Sequence, residues 1–141
     1  MKKVTTQIEV RYQETDQMGV VYHANYLIWF EIGRSAFIKE LGLSYAKMEE
    51  EGVVSPVTRV EIDYKKPMHY GETAFIETWI EHYDGLRTTY GYQVTNAQGE
   101  VSVTGKTDHV IVKKESFRPI SVRRRFPDWH ESYLNAVGNE K

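Results

Sequence analysis

The chain has 141 residues, of which 40% are hydrophobic and 27% charged, with a formal net charge of −2 and no cysteine. This size and balance predict one globular domain over residues 1–141, and the near-neutral charge argues against a nucleic-acid or membrane partner. The lack of cysteine excludes disulfides, thiolate nucleophiles and cysteine-ligated metals, so any chemistry must use oxygen, nitrogen or backbone groups.

Residues 1–7 turn polar again too soon for a signal peptide, and no apolar run is long enough to span a bilayer. We therefore expect a cytoplasmic protein.

Apolar and polar residues alternate from Gln7 to Tyr12, which predicts a half-buried strand. The strand leads to Asp16, an acid in a polar turn before Gly19. The next segment, from Ala24 to about Leu41, is mostly apolar and predicts a long helix that is covered on most sides.

Gly33 lies inside this predicted helix, where glycine costs about 1 kcal/mol relative to alanine. A glycine at such a position predicts a close backbone contact with a sheet or with a partner subunit. Gly42 marks the end of the helix.

The start of the same helix lacks Ser, Thr or Asp where the chain enters it through residues 20–23. Those side chains normally accept hydrogen bonds from the first backbone N–H groups. Free N–H groups at the positive end of the helix dipole suit a carbonyl oxygen that becomes an oxyanion during acyl transfer. Asn25 as a local cap is the alternative.

Four further strands are predicted, from Thr58 to Tyr64, Thr73 to Tyr83, Leu86 to Thr95 and Glu100 to Val112. Turn residues at 84–85 and 96–99 connect the last three into an antiparallel meander. The spacing of apolar residues from Phe126 to Val137 predicts a short C-terminal amphipathic helix. The fold class is therefore α+β, with a curled five-stranded antiparallel sheet wrapped around one long helix.

The string from Tyr12 to Tyr26, reading Tyr-Gln-Glu-Thr-Asp-Gln-Met-Gly-Val-Val-Tyr-His-Ala-Asn-Tyr, closely resembles the 4-hydroxybenzoyl-CoA thioesterase-like family of hotdog-fold acyl-CoA thioesterases. Trp29-Phe30-Glu31, Arg34, Tyr64-Lys65-Lys66-Pro67 and Gly71-Glu72 extend the resemblance, which runs from about Val4 to Val112. It implies hydrolysis of an acyl-CoA thioester by a homodimer, often assembled into a homotetramer, with active sites at the dimer interface.

The resemblance also assigns candidate site residues. Asp16 matches the catalytic carboxylate of the family, and the backbone N–H of His23, beside Tyr22, matches the donor to the thioester carbonyl. Within the same motif, the residues expected at the substrate are Gly19, Val21, Asn25 and Tyr26.

Asp16 could act as a general base on water or as a nucleophile that forms a mixed anhydride, and the sequence leaves both open. The structural alternative is that its carboxylate only caps the turn into Gly19. The His23 side chain could contact the substrate carbonyl or orient Asp16, or it could be an ordinary polar residue of the first turn.

Glu31 is a rival acid on the helix, although an ion pair with Arg34 three residues on is the favoured interpretation. The basic residues Lys113, Lys114, Arg118 and Arg123 to Arg125 could hold the CoA phosphates, but such runs are usually solvated faces. The five histidines lack the spacing of a metal site, so neither a metal nor another cofactor is expected.

Two other functions compete with an acyl-CoA thioesterase. A hotdog module that binds acyl-CoA or an acyl carrier protein without turnover would use the same pocket without needing Asp16. A hotdog dehydratase would need a His-to-Glu arrangement that the sequence does not contain.

Overall fold

The computed structural model describes residues 1–138, so the last three residues of the predicted domain lie outside the described part. Five antiparallel strands form the main sheet in the order β1-β4-β5-β6-β3. Their bounds are β1 Lys3–Glu9, β3 Val57–Tyr64, β4 Thr73–Tyr83, β5 Arg87–Thr95 and β6 Val101–Val110. The predicted sheet and its β4-β5-β6 meander are confirmed.

A second, two-stranded sheet pairs β2 (Val53–Val54) with β7 (Val112–Lys113). Strands of two residues carry no periodicity, so the sequence did not predict them. The described residues form no helix that is long and apolar enough to cross a membrane.

The first strand lies earlier in the chain than predicted. Its residues pair with β4 from Lys3 opposite Trp79 to Glu9 opposite Thr73, and Tyr12 instead opens a short 3-10 turn, Tyr12–Glu14. Tyr12 is 75% exposed, so the apolar alternation that included it was misleading. The threonine-rich start of the chain forms the strand because the edge of β4 supplies its hydrogen bonds.

The long helix α1 spans Asn25–Glu40 and packs on the sheet through Trp29, Phe30 and Phe37, which are fully buried. Phe30 stacks on Tyr92 of β5 with ring centroids 4.1 Å apart. The prediction that the helix is covered on most sides is wrong for the single chain, since an apolar stripe on it is exposed to solvent. This stripe comprises Leu27, Ile28 and Ile32.

Gly33 is where α1 comes closest to the sheet. A Cβ atom there would lie 2.8 Å from Ile76 Cγ2 and still closer to Thr78 Oγ1, both on β4. The predicted close contact is therefore made with the sheet of the same chain.

Strand β3 lies at one edge of the sheet and is largely exposed. The alternation of Val60, Ile62 and Tyr64 predicted this strand, which is confirmed, but Val60 and Tyr64 are 42% and 51% exposed. The strand continues the hydrogen-bonded ladder of β6, and no described strand pairs with its other edge.

Three shorter helices complete the chain: α2 Tyr45–Glu50, α3 Val122–Arg125 and α4 Pro127–Val137. The predicted C-terminal helix is confirmed as α4, which packs on β4 through Trp129, Tyr133 and Ala136. Its position is reinforced by a hydrogen bond from the Lys2 backbone N–H to the Ala136 carbonyl at 2.8 Å.

Candidate active site

The loop between β1 and α1 folds back on itself as a narrow hairpin-like turn. Thr15 forms a β-bridge with Val21, and the Asp16 N–H donates to the Val20 carbonyl at 2.9 Å. The turn closes at Gly19, whose φ of 81° favours glycine because side chains rarely adopt this conformation. The loop is thus held by backbone hydrogen bonds on both of its arms.

Asp16 is half-buried within this turn. Its Oδ1 accepts a hydrogen bond from the Met18 N–H at 2.9 Å, which is the turn-capping role considered as the structural alternative. Its other oxygen, Oδ2, accepts no hydrogen bond from residues 1–138. One oxygen therefore orders the turn while the second remains available to a ligand or to water.

The start of α1 has no side-chain cap. Ala24 occupies the capping position, and its methyl group cannot accept a hydrogen bond. In the described part of the chain, the N–H groups of His23 and Ala24 have no acceptor, whereas the Asn25 N–H donates to the Tyr22 carbonyl at 2.9 Å. Two donors are thus left at the positive end of the helix.

Glu14 joins the loop to the helix, and sequence reasoning missed it. Its buried carboxylate accepts hydrogen bonds from the Arg11 N–H at 2.8 Å, the Arg11 guanidinium at 3.1 Å and the Trp29 indole N–H at 2.9 Å. Burial pushes the pKa of the Glu14 carboxyl upward, but these hydrogen bonds outweigh it and hold the pKa below its usual value. Glu14 is therefore ionised, and its carboxylate links the loop to α1 by hydrogen bonds.

The backbone carbonyl of Glu14 also connects the loop to the start of α1. It accepts hydrogen bonds from the Tyr22 N–H at 2.9 Å and from the Asn25 side-chain amide at 2.8 Å. Asn25 does not cap the helix, because it is the first helical residue and no side-chain hydrogen bond is made at the capping position, which Ala24 occupies. The two arms of the loop meet at residues 14 and 22, which fixes the position of Asp16 relative to the helix start.

Of the remaining predicted site residues, Gly19, Tyr22 and His23 are exposed, whereas Val21 and Tyr26 are buried in the core. The Val21 N–H donates to the Met68 carbonyl at 2.9 Å, and the Tyr26 hydroxyl lies 3.5 Å from Ser102 Oγ. One polar group of each of Val21, Asn25 and Tyr26 is thus engaged within the chain, that of Asn25 being its side-chain amide N–H on the Glu14 carbonyl.

The His23 ring contacts aromatic neighbours. It lies 4.4 Å from the Tyr22 ring and 6.3 Å from the Tyr64 ring, centroid to centroid, and it makes no hydrogen bond to Asp16 within residues 1–138. The Tyr64 hydroxyl donates to the His23 carbonyl at 3.1 Å. Tyr64 thus ties the end of β3 to the helix start, a contact that only the folded sheet brings about.

The expected ion pair between Glu31 and Arg34 is wrong. No carboxylate of the described chain lies within 4.0 Å of the Arg34 guanidinium, which instead donates to the Tyr92 hydroxyl at 3.1 Å. The guanidinium is hydrogen-bonded to the Tyr92 hydroxyl, which is 58 residues away in the sequence. The exposed Glu31, on the neighbouring turn of α1, therefore does not pair with Arg34.

The basic run lies elsewhere in the fold. Arg123 to Arg125 are exposed residues of helix α3, which packs against α4, and the Arg125 guanidinium donates to the Glu51 carbonyl at 2.9 Å. Lys113, Lys114 and Arg118 are also exposed. None of these residues makes a hydrogen bond to the loop of Asp16 within the described chain.

Comparison with known proteins identifies relatives over most of the chain. A family model, the thioesterase-like superfamily, matches residues 10–137. YneP of Bacillus subtilis (strain 168), provisionally named an acyl-CoA thioesterase, is 58% identical over 130 residues, which cover 92% of this chain and 94% of that protein.

Two solved structures have the same fold. A DHNA-CoA thioesterase from Staphylococcus aureus is 46% identical with a TM-score of 0.94, and the match covers 100% of this chain and 98% of that chain. A mutant 4-hydroxybenzoyl CoA thioesterase complexed with 4-hydroxybenzoyl CoA has a TM-score of 0.83 over 94% of this chain and 99% of its own. The second is only 19% identical and shows the fold alone.

Proposed function

The chain belongs to the thioesterase-like superfamily, and we propose that its active site is the loop of Asp16 together with the free N–H groups at the start of α1. The protein has the hotdog fold and is an acyl-CoA thioesterase, a hydrolase that converts an acyl-CoA thioester to a free acid and CoA. The observation that carries the proposed site is that three groups on one loop and the helix start after it have no hydrogen-bond partner within residues 1–138: Asp16 Oδ2 and the N–H groups of His23 and Ala24.

In the proposed reaction the carbonyl oxygen of the thioester accepts hydrogen bonds from the His23 N–H and its neighbour at the helix start. These donors stabilise the negative charge that develops on this oxygen during attack, an effect worth about 3 kcal/mol for one donor in other acyl-transfer enzymes.

Asp16 then activates water as a general base. Its Oδ2 takes a proton from the water as the water oxygen bonds to the acyl carbon. Cleavage of the C–S bond leaves the electron pair on sulfur, and Asp16 returns the proton to the CoA thiolate. The alternative is that Asp16 attacks the acyl carbon itself, releases the thiolate and forms an anhydride that water cleaves.

The exposed Gly19 and the Tyr22 ring would lie along the substrate, with Val21, Asn25 and Tyr26 as the framework beneath it. The His23 side chain would contact the acyl group or the pantetheine arm. The free carboxylate and helix donors support turnover over the non-catalytic acyl-CoA or acyl-carrier-protein binding module, which requires neither.

The test compares thiol release from a panel of acyl-CoAs by the wild type and by Asp16→Asn. Asparagine can accept the same hydrogen bond from Met18 N–H, so the turn is kept while the basic oxygen is lost. We expect kcat to fall by about 10²–10⁴-fold. Unchanged turnover in Asp16→Asn would remove the proposed mechanism.

The chain offers a matched control at Asp84. Its Oδ1 caps another turn by accepting hydrogen bonds from the Leu86 and Arg87 N–H groups at 2.9 and 2.7 Å. Asp84→Asn changes the same charge in the same kind of turn, so it should leave thiol release unchanged. An equal loss in both variants would show that charge or turn geometry, and not local chemistry, is responsible.

We also propose a homodimer, formed by pairing of two β3 edges and assembled further into a homotetramer. The support is the exposed edge strand, with Val57 and Val60 at 46% and 42% exposure, and the exposed apolar stripe on α1. Val60→Lys should shift the molar mass measured by light scattering toward one chain, whereas Thr5→Lys on the opposite edge should not. A dimer that survives Val60→Lys would exclude this edge.

The location of the protein is proposed to be the cytoplasm, with all 141 residues acting as one domain. Its substrate is proposed to be free acyl-CoA, without nucleic-acid or membrane partners.

A further inference from the structure

A cavity of about 490 Å³ lies at the other end of α1 from the loop of Asp16. Its walls come from the second half of α1, from α2, from β5 and β6, and from Trp129 of α4. No residue between 15 and 26 lines it. The volume is within the range of about 300–1,000 Å³ that is usual for small-molecule sites.

Arg34 gives this cavity a positive charge. The guanidinium is half-buried, donates to the Tyr92 hydroxyl and has no carboxylate partner within residues 1–138. Tyr92 is itself fixed by the Thr107 hydroxyl at 2.6 Å, and Thr107 by His109 Nε2 at 2.9 Å. A chain of buried hydrogen bonds therefore holds the cation in place with most of its five N–H donors unused.

Trp129 supplies a second unused donor. The residue is 6% exposed, and its indole N–H has no acceptor in the described part of the chain. A buried donor without a partner costs about 1–3 kcal/mol, so such groups are usually paired with protein, water or a ligand. Because Trp129 also lines the cavity, an acceptor bound there could satisfy it.

The His109 side chain neither offsets the positive charge of Arg34 nor adds to it. Burial, followed by the nearby charge of Arg34, lowers the pKa of His109 to about 4, so the ring is neutral at pH 7. The other charged residues on the cavity wall are Glu31, Lys39 and Glu49, all exposed to solvent, where their charges are screened.

The remaining wall is mixed aromatic and aliphatic, with Tyr45, Tyr90, Ile38 and Ile111 among its residues. We propose that this cavity binds a small aromatic carboxylate, whose carboxylate oxygens accept hydrogen bonds from the Arg34 guanidinium and from the Trp129 indole N–H. Within one chain, no residue of the loop of Asp16 lines this cavity, and the proposal does not depend on the proposed hydrolytic mechanism.

The test is a titration of the full-length protein with benzoate, followed by the indole N–H signals of the three tryptophans in a two-dimensional NMR spectrum. Trp129→Phe assigns the Trp129 signal. We expect benzoate to shift this signal more than those of Trp29 and Trp79, and benzamide, which lacks the charge, to bind at least about tenfold more weakly. A Trp129 signal that does not move with benzoate up to about 10 mM would overturn the proposal.

Two charge-removing variants test whether Arg34 provides the positive charge that binds benzoate. Arg34→Gln should weaken benzoate binding at least about tenfold, whereas Lys39→Gln, which removes the same charge from the exposed rim, should weaken it less than about twofold. Equal effects of the two would show nonspecific attraction and overturn the site. If Arg34→Gln gives the spectrum of an unfolded chain, Trp129→Phe decides, and unchanged affinity measured by calorimetry in that variant would contradict the proposal.

Asp16→Asn separates this proposal from that of the active site. It should bind benzoate as the wild type does, within about twofold, while thiol release is lost. Loss of benzoate binding in Asp16→Asn would place the ligand in the catalytic loop and refute a separate cavity site.

Discussion

Gly33→Ala tests how tightly α1 is fitted to the sheet. On helix propensity alone, replacing a glycine inside a helix should stabilise the protein by about 1 kcal/mol. The added methyl group would, however, lie 2.8 Å from Ile76 Cγ2 and even closer to Thr78 Oγ1. Both neighbours are β-branched residues of β4 with little rotamer freedom, so they cannot turn away.

The magnitude follows from these two opposing effects. Overpacking a well-filled core costs about 1–3 kcal/mol, and two contacts below 3.0 Å favour the upper end. Subtracting the gain in propensity leaves an expected destabilisation of about 2 kcal/mol. Urea unfolding at one fixed protein concentration measures it, because any oligomer would make stability depend on concentration.

A second substitution identifies the source of the strain. Thr78→Ala removes the nearest atom, so the double variant Gly33→Ala/Thr78→Ala should show a favourable coupling of at least about 1 kcal/mol. Ser35→Ala, at an exposed position of the same helix, should change stability by less than about 0.5 kcal/mol. A more stable Gly33→Ala variant would refute the close fit and leave propensity as the ruling effect.

Two further predictions concern buried ionisable groups. Glu14→Gln should destabilise the protein by about 2–3 kcal/mol, because the amide cannot accept the three hydrogen bonds from Arg11 and Trp29, while Glu9→Gln on the exposed side of β1 should change it by less than about 0.5 kcal/mol. Equal unfolding midpoints in urea would contradict the role of Glu14. His109 should make stability fall as the pH drops from about 6.5 toward its folded pKa of about 4, since the unfolded chain binds the proton first. Protonation of His109 should lower the free energy of unfolding by about 3 kcal/mol once the pH is below about 4, and by nothing above pH 6.5. The His109→Gln variant should lack this pH dependence. A variant with the slope of the wild type would assign the acid sensitivity to other groups.

The sequence predicts best the strands whose two faces differ in burial within a single chain. β4 alternates buried and half-buried residues over most of its length, β5 and β6 do so in part, and turn residues separate the three strands, so local pattern and tertiary burial largely agree. In β3 the same alternation is present, yet Val60 and Tyr64 are exposed because the strand lies at the sheet edge. Periodicity shows which residues are apolar, and only the sheet order shows what covers them.

The candidate site was predictable where it is continuous in sequence. Asp16, Gly19 and the uncapped helix start fall within ten residues of one another, so their spacing alone indicates a loop before a helix. Glu14 was missed because its importance depends on Trp29, whose indole N–H reaches it only after α1 has packed. For the same reason, the pairing of Arg34 with Tyr92 could not be anticipated, since Glu31 was the nearer partner along the chain.

The tip of the Asp16 turn combines two properties that suit a reporter. Met18 is 79% exposed, and the sequence contains no cysteine. A Met18→Cys variant would therefore carry a single thiol, and a fluorophore attached to it would be the only label on the molecule. Its emission would report whether acyl-CoA binds at the proposed active site beside Asp16, without any background from a second labelled position.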